Sequence, residues 1–415
     1  MIRLFHKNKE RNATMSMTRR SFLNGSLGAA AVGLSARRAA AAPEPIRIGW
    51  LTALTGANST PGIGYDRGMR YIVPKINAAG GVNGRMIEVI VRDSSGDPAK
   101  AVNAAMDLAS NQKVHAVFGP VNSGEALATT PIFTRFKVPS LGICVVDSLI
   151  DPEKFPNAFR LSPNNTQWDD AARHYLLDIV KAKKIVKAKK IAVLGDNTGY
   201  GTTATAASVA SYKKAGADVV YNEVIDANAQ DVAPNLLHAR DAGAQAIACW
   251  SDSSGLDARM MNARGRIGWD VVMAGHPALS SGDVRNLLEK PEYWNKVYAV
   301  GYRSCSYDAA GKLPPRMQAF VDEVKGKVQL QDTLLWWVAA AVDTVTLVAE
   351  AVAKTGSSDS EKIIGYWNGL SNWQGLYGTY HFTPNEHNGY PTEDVVMSAA
   401  NSSRDGAMNL APGYA

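Results

Sequence analysis

Residues 115–128 read HAVFGPVNSGEALA: a short apolar run ends at Gly-Pro, a small polar group follows, and an Ala/Leu-rich pattern begins. This order predicts a buried strand, a tight turn and a helix whose first N–H groups have no partner within it. Those N–H groups and the helix dipole attract anions, and Ser123 adds a hydroxyl. Ordinary capping by Asn122 or Ser123 explains the same residues. The stretch therefore predicts a strand–turn–helix unit whose helix start either binds an anion or is simply capped.

The alternation of strands and helices continues on both sides of this stretch. From Pro45 to Val145, apolar strand-like runs alternate with helical patterns, which is typical of a doubly wound parallel sheet. The rhythm restarts after FRLSP at residues 159–163 and continues to Ala274. Two such halves in a 415-residue chain predict an α/β protein with two doubly wound parallel-sheet lobes and a ligand cleft between them.

The basic character of the chain is concentrated at its beginning. Residues 1–42 contain eight Lys/Arg and one acidic residue, which leaves 36 of the 44 basic and 37 of the 38 acidic residues, a net charge of −1. This near-neutral remainder gives no support for a nucleic-acid partner. Within the leader, TRRSFL at residues 18–23 precedes a short apolar run and four alanines. The pattern predicts a twin-arginine signal peptide over residues 1–42.

Motifs for catalysis and cofactor binding are weak or missing in the sequence. GIGYDR at residues 62–67 approaches a dinucleotide-binding fingerprint but has Arg67 in place of the third glycine. No Gly-x-Ser-x-Gly nucleophile elbow and no phosphate-binding lysine loop occur. His381 and His387 flank a turn that lacks the other residues of a zinc site. We therefore expect no enzymatic activity, no cofactor and no metal.

Several segments resemble the periplasmic leucine/isoleucine/valine-binding proteins of ABC importers. The similar segments, in chain order, are IRIGWLTALTG (46–56), INAAGGVNGR (76–85), DSSGDP (93–98), residues 117–124, FRLSP (159–163), NTGYG (197–201) and FTPNEHNGY (382–390). This resemblance implies a type I periplasmic binding fold, in which three crossovers join the two lobes. It places lobe I at residues 45–164 and 303–377, and lobe II at residues 165–302 and 378–415.

The resemblance also implies a function in transport. Members of this family bind a small molecule between the lobes, close by hinge motion and deliver the ligand to an ABC permease in the inner membrane. For this chain it implies a monomeric periplasmic protein that is not an enzyme and that binds a carboxylate-bearing ligand. Two alternatives stay open, namely a ligand-sensing domain of the same fold and a receptor for urea or short-chain amides.

Some family site residues carry over to this sequence. Ser123, beside Asn122, matches the serine that binds the ligand carboxylate. Cys144 and Val146 follow the next strand, where the family usually supplies a threonine hydroxyl that this chain lacks. The resemblance thus implies a carboxylate contact at Ser123 and an altered wall at the neighbouring strand end.

Aromatic residues of the family pattern are also present. Tyr200 matches a tyrosine of the second lobe that faces the cleft. Trp337, with Trp336 as the alternative in register, falls near an aromatic residue that lines the side-chain pocket. A core role explains either tryptophan equally well.

The largest departure from the family pattern concerns the residue that would bind the ammonium group of a ligand. Where amino-acid-binding members have an acidic residue, this chain reads GHP at residues 275–277. A buried ammonium without a carboxylate partner costs several kcal/mol. Either Asp252, followed by Ser253 at the neighbouring strand end, replaces the missing acid, or the ligand is an amine-free aromatic or branched carboxylic acid and His276 supplies a polar contact.

Overall fold

Two parallel β-sheets organise the computed structural model, which describes residues 43–56, 59–179 and 189–414. The strands are β1 Ile46–Thr52, β2 Ile87–Asp93, β3 Ala116–Phe118, β4 Ser140–Gly142, β5 Ala158–Arg160, β6 Lys190–Asp196, β7 Asp218–Ile225, β8 Ala246–Trp250, β9 Val272–Gly275, β10 Val297–Tyr302, β11 Ser306–Tyr307, β12 Trp373–Gln374, β13 Thr379–Tyr380, β14 Val395–Ala399 and β15 Met408–Asn409. The α-helices are α1 Ser59–Ala78, α2 Pro98–Met106, α3 Ser123–Arg135, α4 Asn165–His174, α5 Gly199–Lys214, α6 Ala233–Asp241, α7 Ser254–Arg266, α8 Gly282–Leu287, α9 Pro315–Val324, α10 Leu335–Thr355 and α11 Ser360–Trp367. The predicted signal peptide, residues 1–42, lies outside the described residues.

The first sheet has the strand order β2-β1-β3-β4-β5, and all its pairings are parallel. Successive side chains of a strand point to opposite faces of the sheet, and helices cover both faces. In β1, Trp50 packs on the α1 and α10 side, whereas Leu51 packs on the α2 and α3 side. Helices on both faces make this a doubly wound sheet, as the sequence pattern predicts.

The second sheet has the strand order β14-β10-β9-β8-β6-β7, in which only the edge strand β14 is antiparallel to its neighbour. Val193 of β6 faces the core shared with α4 and α5, and Leu194 faces the core that contains α6 and α7 residues. The fold class of two doubly wound α/β lobes is therefore confirmed.

The chain crosses between the two sheets three times: after β5, after β10 and before β14. The third crossover bears on the predicted lobe boundaries, because residues 378–390 contact the first sheet. The His387 ring stacks on Phe159 with 3.8 Å between ring centroids, and its Nδ1 lies 3.0 Å from the Ala158 carbonyl oxygen. We propose that lobe I extends to about Tyr390, with the other predicted boundaries unchanged.

Helices α1 and α10 pack closely because glycines of α1 leave room for the partner backbone. A Cβ at Gly64 would stand 2.7 Å from the Trp337 ring, and one at Gly68 would stand 2.4 Å from the Val338 carbonyl oxygen. The near-fingerprint GIGYDR thus contributes a glycine to helix packing. Helix α10 is long and apolar enough to cross a membrane, but 83% of its apolar window is buried inside the protein, as in a core helix.

Candidate functional site

A buried cavity lies between the two sheets, at the ends of strands from both lobes. Its lining residues are Pro61, Tyr65, Val121, Asn122, Ser123, Ile143, Val145, Trp168, Tyr200, Asp252, His276, Trp336 and Trp337. Parallel α/β sheets commonly bind ligands at the carboxyl ends of their strands. No lysine or arginine is among these lining residues, so an anionic ligand would be held here by dipoles and hydrogen bonds.

The start of α3 forms one polar part of this cavity. Asn122 is the N-cap of the helix, and its Oδ1 accepts a hydrogen bond from the Gly124 N–H at 2.9 Å. Ser123, the first residue of the helix, is 2% exposed and lines the cavity. The capping role thus belongs to Asn122, and the Ser123 hydroxyl stands beside the positive end of the helix dipole.

Aromatic rings form most of the remaining wall. Tyr65 meets Trp336 edge-on, with ring centroids 6.0 Å apart, and lies 6.4 Å from Trp337. Trp336 and Trp337 are successive residues of α10. Both line the cavity, although the resemblance implied only one of the two there. From the second lobe, Trp168 and Tyr200 meet edge-on with centroids 6.2 Å apart. Such walls suit a flat or branched apolar group.

Asp252 enters the cavity two residues after β8 ends. Its Oδ2 accepts a hydrogen bond from Asn122 Nδ2 at 2.8 Å, and its backbone N–H donates to Asp196 Oδ2 at 2.9 Å. Burial raises the pKa of Asp252 well above its usual range, and the neighbouring Asp196 carboxylate raises it further. Asp252 is therefore held toward its neutral form, in contact with the first lobe.

His276 follows β9 and is also buried. Its Nδ1 accepts a hydrogen bond from the Ala278 N–H at 3.1 Å, which places the proton of the neutral ring on Nε2. Burial lowers the pKa of His276 to about 3, so the ring is uncharged at neutral pH. The ring meets Trp168 edge-on with centroids 5.2 Å apart. His276 thus offers a neutral N–H donor where a charged group would be costly.

Three polar atoms of the lining residues are buried without a hydrogen-bond partner among the described residues: Tyr200 Oη, Trp336 Nε1 and Asp252 Oδ1. A buried polar atom without a partner costs about 1–3 kcal/mol. Polar groups of a bound molecule would remove that cost, which is consistent with a candidate binding site in this cavity.

Cys144 and Val146, two of the predicted site residues, are not among the residues that line this cavity. Cys144 Sγ lies 2.7 Å from the Pro120 carbonyl oxygen, and both side chains belong to a separate apolar cluster. Ile143 and Val145 line the cavity instead, since neighbouring side chains of extended backbone point to opposite sides. The alternation of side chains was the signal that could have identified them.

Ser253 is also placed away from the predicted role. It is the N-cap of α7, and its Oγ accepts a hydrogen bond from the Leu256 N–H at 3.3 Å. It is not among the cavity-lining residues. The other predicted residues, Asn122, Ser123, Tyr200, Asp252, His276 and Trp337, line the cavity, and their contact with a ligand stays a prediction. Tyr65 and Trp168 line it too and were missed because no local motif distinguishes them from core aromatics.

The two lobes touch across the cavity. Besides the Asn122–Asp252 hydrogen bond, the Thr60 hydroxyl donates to the Asp283 carboxylate. The starts of α3 and α5 come so close that a Cβ at Gly199 would stand 2.9 Å from the Gly124 Cα. The structure is therefore a closed form, and glycine is required where the two helix starts meet. Within residues 43–56, 59–179 and 189–414, no cluster of three or more His, Cys, Asp or Glu could hold a metal ion.

A two-lobed fold with a cavity between its lobes is typical of proteins that bind small molecules. The chain belongs to the family described as Periplasmic binding protein, whose match covers residues 45–405. Members of this family are solute-binding proteins that work with ABC transporter permeases, and membership implies a periplasmic or extracellular location. The resemblance to the leucine/isoleucine/valine-binding type is confirmed.

Known proteins show the extent of this similarity. The Leu/Ile/Val-binding protein homolog 7 of Brucella abortus (strain 2308) is 30% identical over 221 residues, 52% of this chain and 55% of that protein. The chain thus spans about half the length of such curated relatives. The solved LivJ from Streptococcus pneumoniae in complex with isoleucine is 22% identical, with a TM-score of 0.75 over 88% of this chain and 99% of that one. A solute binding protein from Rhodopseudomonas palustris HaA2 in complex with p-hydroxybenzoic acid is 20% identical, with a TM-score of 0.71 over 88% and 95%.

Proposed function

We propose that this protein captures a small carboxylate-bearing ligand by lobe closure and delivers it to an ABC permease in the inner membrane. It acts as a monomer in the periplasm, after export by the twin-arginine route, and it catalyses no reaction. The ligand is an amino acid or an aromatic or branched carboxylic acid. The observation that carries this proposal is Ser123, which is buried at a helix start and lines the cavity between the lobes.

The chemistry of the α3 start supports a carboxylate at this end of the cavity. Free N–H groups and the helix dipole stabilise a negative charge, and Ser123 adds a hydroxyl donor. The Asn122 cap fixes the position of the helix start by a 2.9 Å hydrogen bond. Isoleucine and p-hydroxybenzoic acid, the molecules bound in two similar structures, share a carboxylate although their other groups differ.

Thermal-shift screening of the purified protein tests this function. The screen contains branched amino acids, aromatic acids, branched acids, 2-oxo acids and amides, because these separate the carboxylate from other groups. A ligand at a concentration one hundred times its Kd stabilises the folded state by about 2.7 kcal/mol, which raises the melting temperature. Stabilisation by amides alone, or turnover of any screened compound, would contradict the proposal.

The Ser123→Ala variant localises the carboxylate. Loss of a hydrogen bond to a charged group should weaken carboxylate binding by roughly tenfold to one hundredfold in isothermal titration calorimetry. Ser110→Ala is the matched control, because Ser110 lies outside the cavity and bonds the Met106 carbonyl of its own helical segment. Equal affinities of the Ser123→Ala variant and the unmodified protein would rule out this carboxylate contact.

A further inference from the structure

A chain of hydrogen bonds crosses from one lobe to the other through Asp252. Asn122 of lobe I donates to Asp252 Oδ2 at 2.8 Å, and the Asp252 N–H donates to Asp196 Oδ2 at 2.9 Å. Asp196 also accepts from the backbone N–H of Thr198 at 3.0 Å, so it is fixed at the start of α5. Asp252 is therefore already used to join the lobes in the closed form.

The surroundings of Asp252 disfavour its use as the partner of a ligand ammonium. The titratable groups around it are Asp196 at the end of β6, Asp257 on α7, Tyr200 on α5 and His276 after β9. Asp196 and Asp257 are fully buried, and His276 is neutral. Burial and the neighbouring aspartates raise the pKa of Asp252 and disfavour its charged form. Ionising Asp252 for an ammonium would place a charge in a site that already holds two fully buried aspartate side chains.

The rest of the cavity offers donors and rings rather than anions. The Trp336 indole N–H is buried without a partner, the neutral His276 ring carries its proton on Nε2, and Ser123 supplies a hydroxyl. Tyr65, Trp168 and Trp337 enclose the remaining space. Donors match the oxygen atoms of a carboxylate or ring substituent, and ring edges and faces match an aromatic group.

We propose that the ligand is an amine-free aromatic carboxylic acid, and that Asp252 is a neutral latch between the lobes rather than an ammonium partner. This inference rests on the proposed function and chooses between the two ligand classes left open there. In the closed form the carboxylate lies at the α3 start beside Ser123, and the aromatic ring lies among Tyr65, Trp168 and Trp337.

Matched ligand pairs test this choice because each pair differs only in the ammonium group. The probes are 3-phenylpropionate against L-phenylalanine and 4-methylpentanoate against L-leucine, with 4-hydroxybenzoate as a third acid, in isothermal titration calorimetry on the purified protein. Each acid should bind at least about tenfold more tightly than its amino acid, and an aromatic acid should bind most tightly. Tighter binding of either amino acid, or tightest binding of 4-methylpentanoate, would overturn the inference while leaving the carboxylate function intact. Absence of binding by all five probes would overturn both.

The Asp252→Asn variant tests the latch separately. Asparagine has the shape of a neutral aspartic acid and can still accept from Asn122, so the tightest acid should dissociate more slowly from Asp252→Asn than from Asp252→Ala. Asp252→Ala removes the latch, and the same acid should then dissociate roughly tenfold faster with little change in association rate, as measured by stopped-flow fluorescence. A loss of amino-acid binding in Asp252→Asn would identify Asp252 as an ammonium partner and overturn the inference. The ligand pairs on the unmodified protein decide the question if either variant fails to fold.

Discussion

The two lobes line the same cavity, but their lining residues come from different arrangements of secondary structure. The lobe I wall combines a helix start, with Asn122 and Ser123, and two successive tryptophans of one core helix. The lobe II wall combines residues from three separate strand ends and helix starts, namely Tyr200, Asp252 and His276. The polar groups of lobe I come from one short segment, whereas those of lobe II depend on which strands are neighbours.

The two walls of the cavity also differ in their polar groups. Lobe I has Ser123 at the α3 start, where it lines the cavity. Lobe II lines the cavity with the neutral His276 and with Asp252, whose carboxyl group contacts Asn122 of the other lobe. We expect selectivity among carboxylates, because the neutral lobe II wall faces the end of the cavity where we propose that the carboxylate binds. Lobe I should then set the affinity, and lobe II should set the class of ligand.

The largest effect is expected from Trp337→Ala in the lobe I wall. Trp337 is 2% exposed and packs on α1, so its truncation should lower the free energy of unfolding by about 3–5 kcal/mol. Urea unfolding followed by circular dichroism measures the change. Trp269→Ala, at a half-buried tryptophan outside the cavity, is the control and should cost less. Equal losses of unfolding free energy in the two variants would mean that Trp337 stabilises the core no more than a half-buried tryptophan does.

The Gly199→Ala substitution should weaken the contact between the two walls. A methyl group there would meet the Gly124 Cα, and overpacking of about 1–3 kcal/mol should disfavour closure and weaken ligand binding roughly tenfold to one hundredfold. Small-angle X-ray scattering should detect a larger radius of gyration. Gly365→Ala in α11 is the matched control, because a Cβ there meets nothing within 4 Å. An unchanged affinity in Gly199→Ala would mean that closure tolerates a wider gap.

His276 should make stability depend on pH. Its folded-state pKa of about 3 lies below the ordinary unfolded value, so the unfolded chain takes up the proton first and stability falls as the pH drops. Between pH 6.5 and pH 5.5 His276 should contribute a loss of about 1.0 kcal/mol, and His276→Gln should reduce the total pH-dependent loss by that amount. Urea unfolding at each pH measures it. The exposed His381→Gln serves as control and should keep the full dependence; the same dependence in His276→Gln would contradict the buried neutral ring.

The smallest effect on stability is expected at two serines, Ser123 and Ser253, that lie at helix starts on opposite walls. Ser253→Ala removes the cap of α7 and should cost about 1 kcal/mol of stability with no change in ligand affinity. Ser123→Ala should do the reverse, since Asn122 caps α3 and Ser123 faces the cavity. Melting temperature and calorimetric affinity, measured on both variants, distinguish the roles. An affinity loss in Ser253→Ala would restore Ser253 as a ligand contact.

Local patterns predicted much of the fold and about half of the cavity wall. The strand–turn–helix unit at residues 115–128 and the two alternating halves follow from hydrophobic periodicity and helix-start signals, which depend on near neighbours in sequence. The sequence reasoning named Cys144 and Val146, whereas Ile143 and Val145 line the cavity, because the lining depends on which face of an extended segment meets the other lobe. That direction is set by packing.

The sequence by itself determined two doubly wound lobes and the helix start at Ser123, because each follows from patterns within short segments. Only the tertiary structure decided that Asn122 bonds Asp252 and that Gly199 meets Gly124. These contacts join residues up to 130 positions apart. Their geometry arises when the lobes close, and no local pattern specifies it.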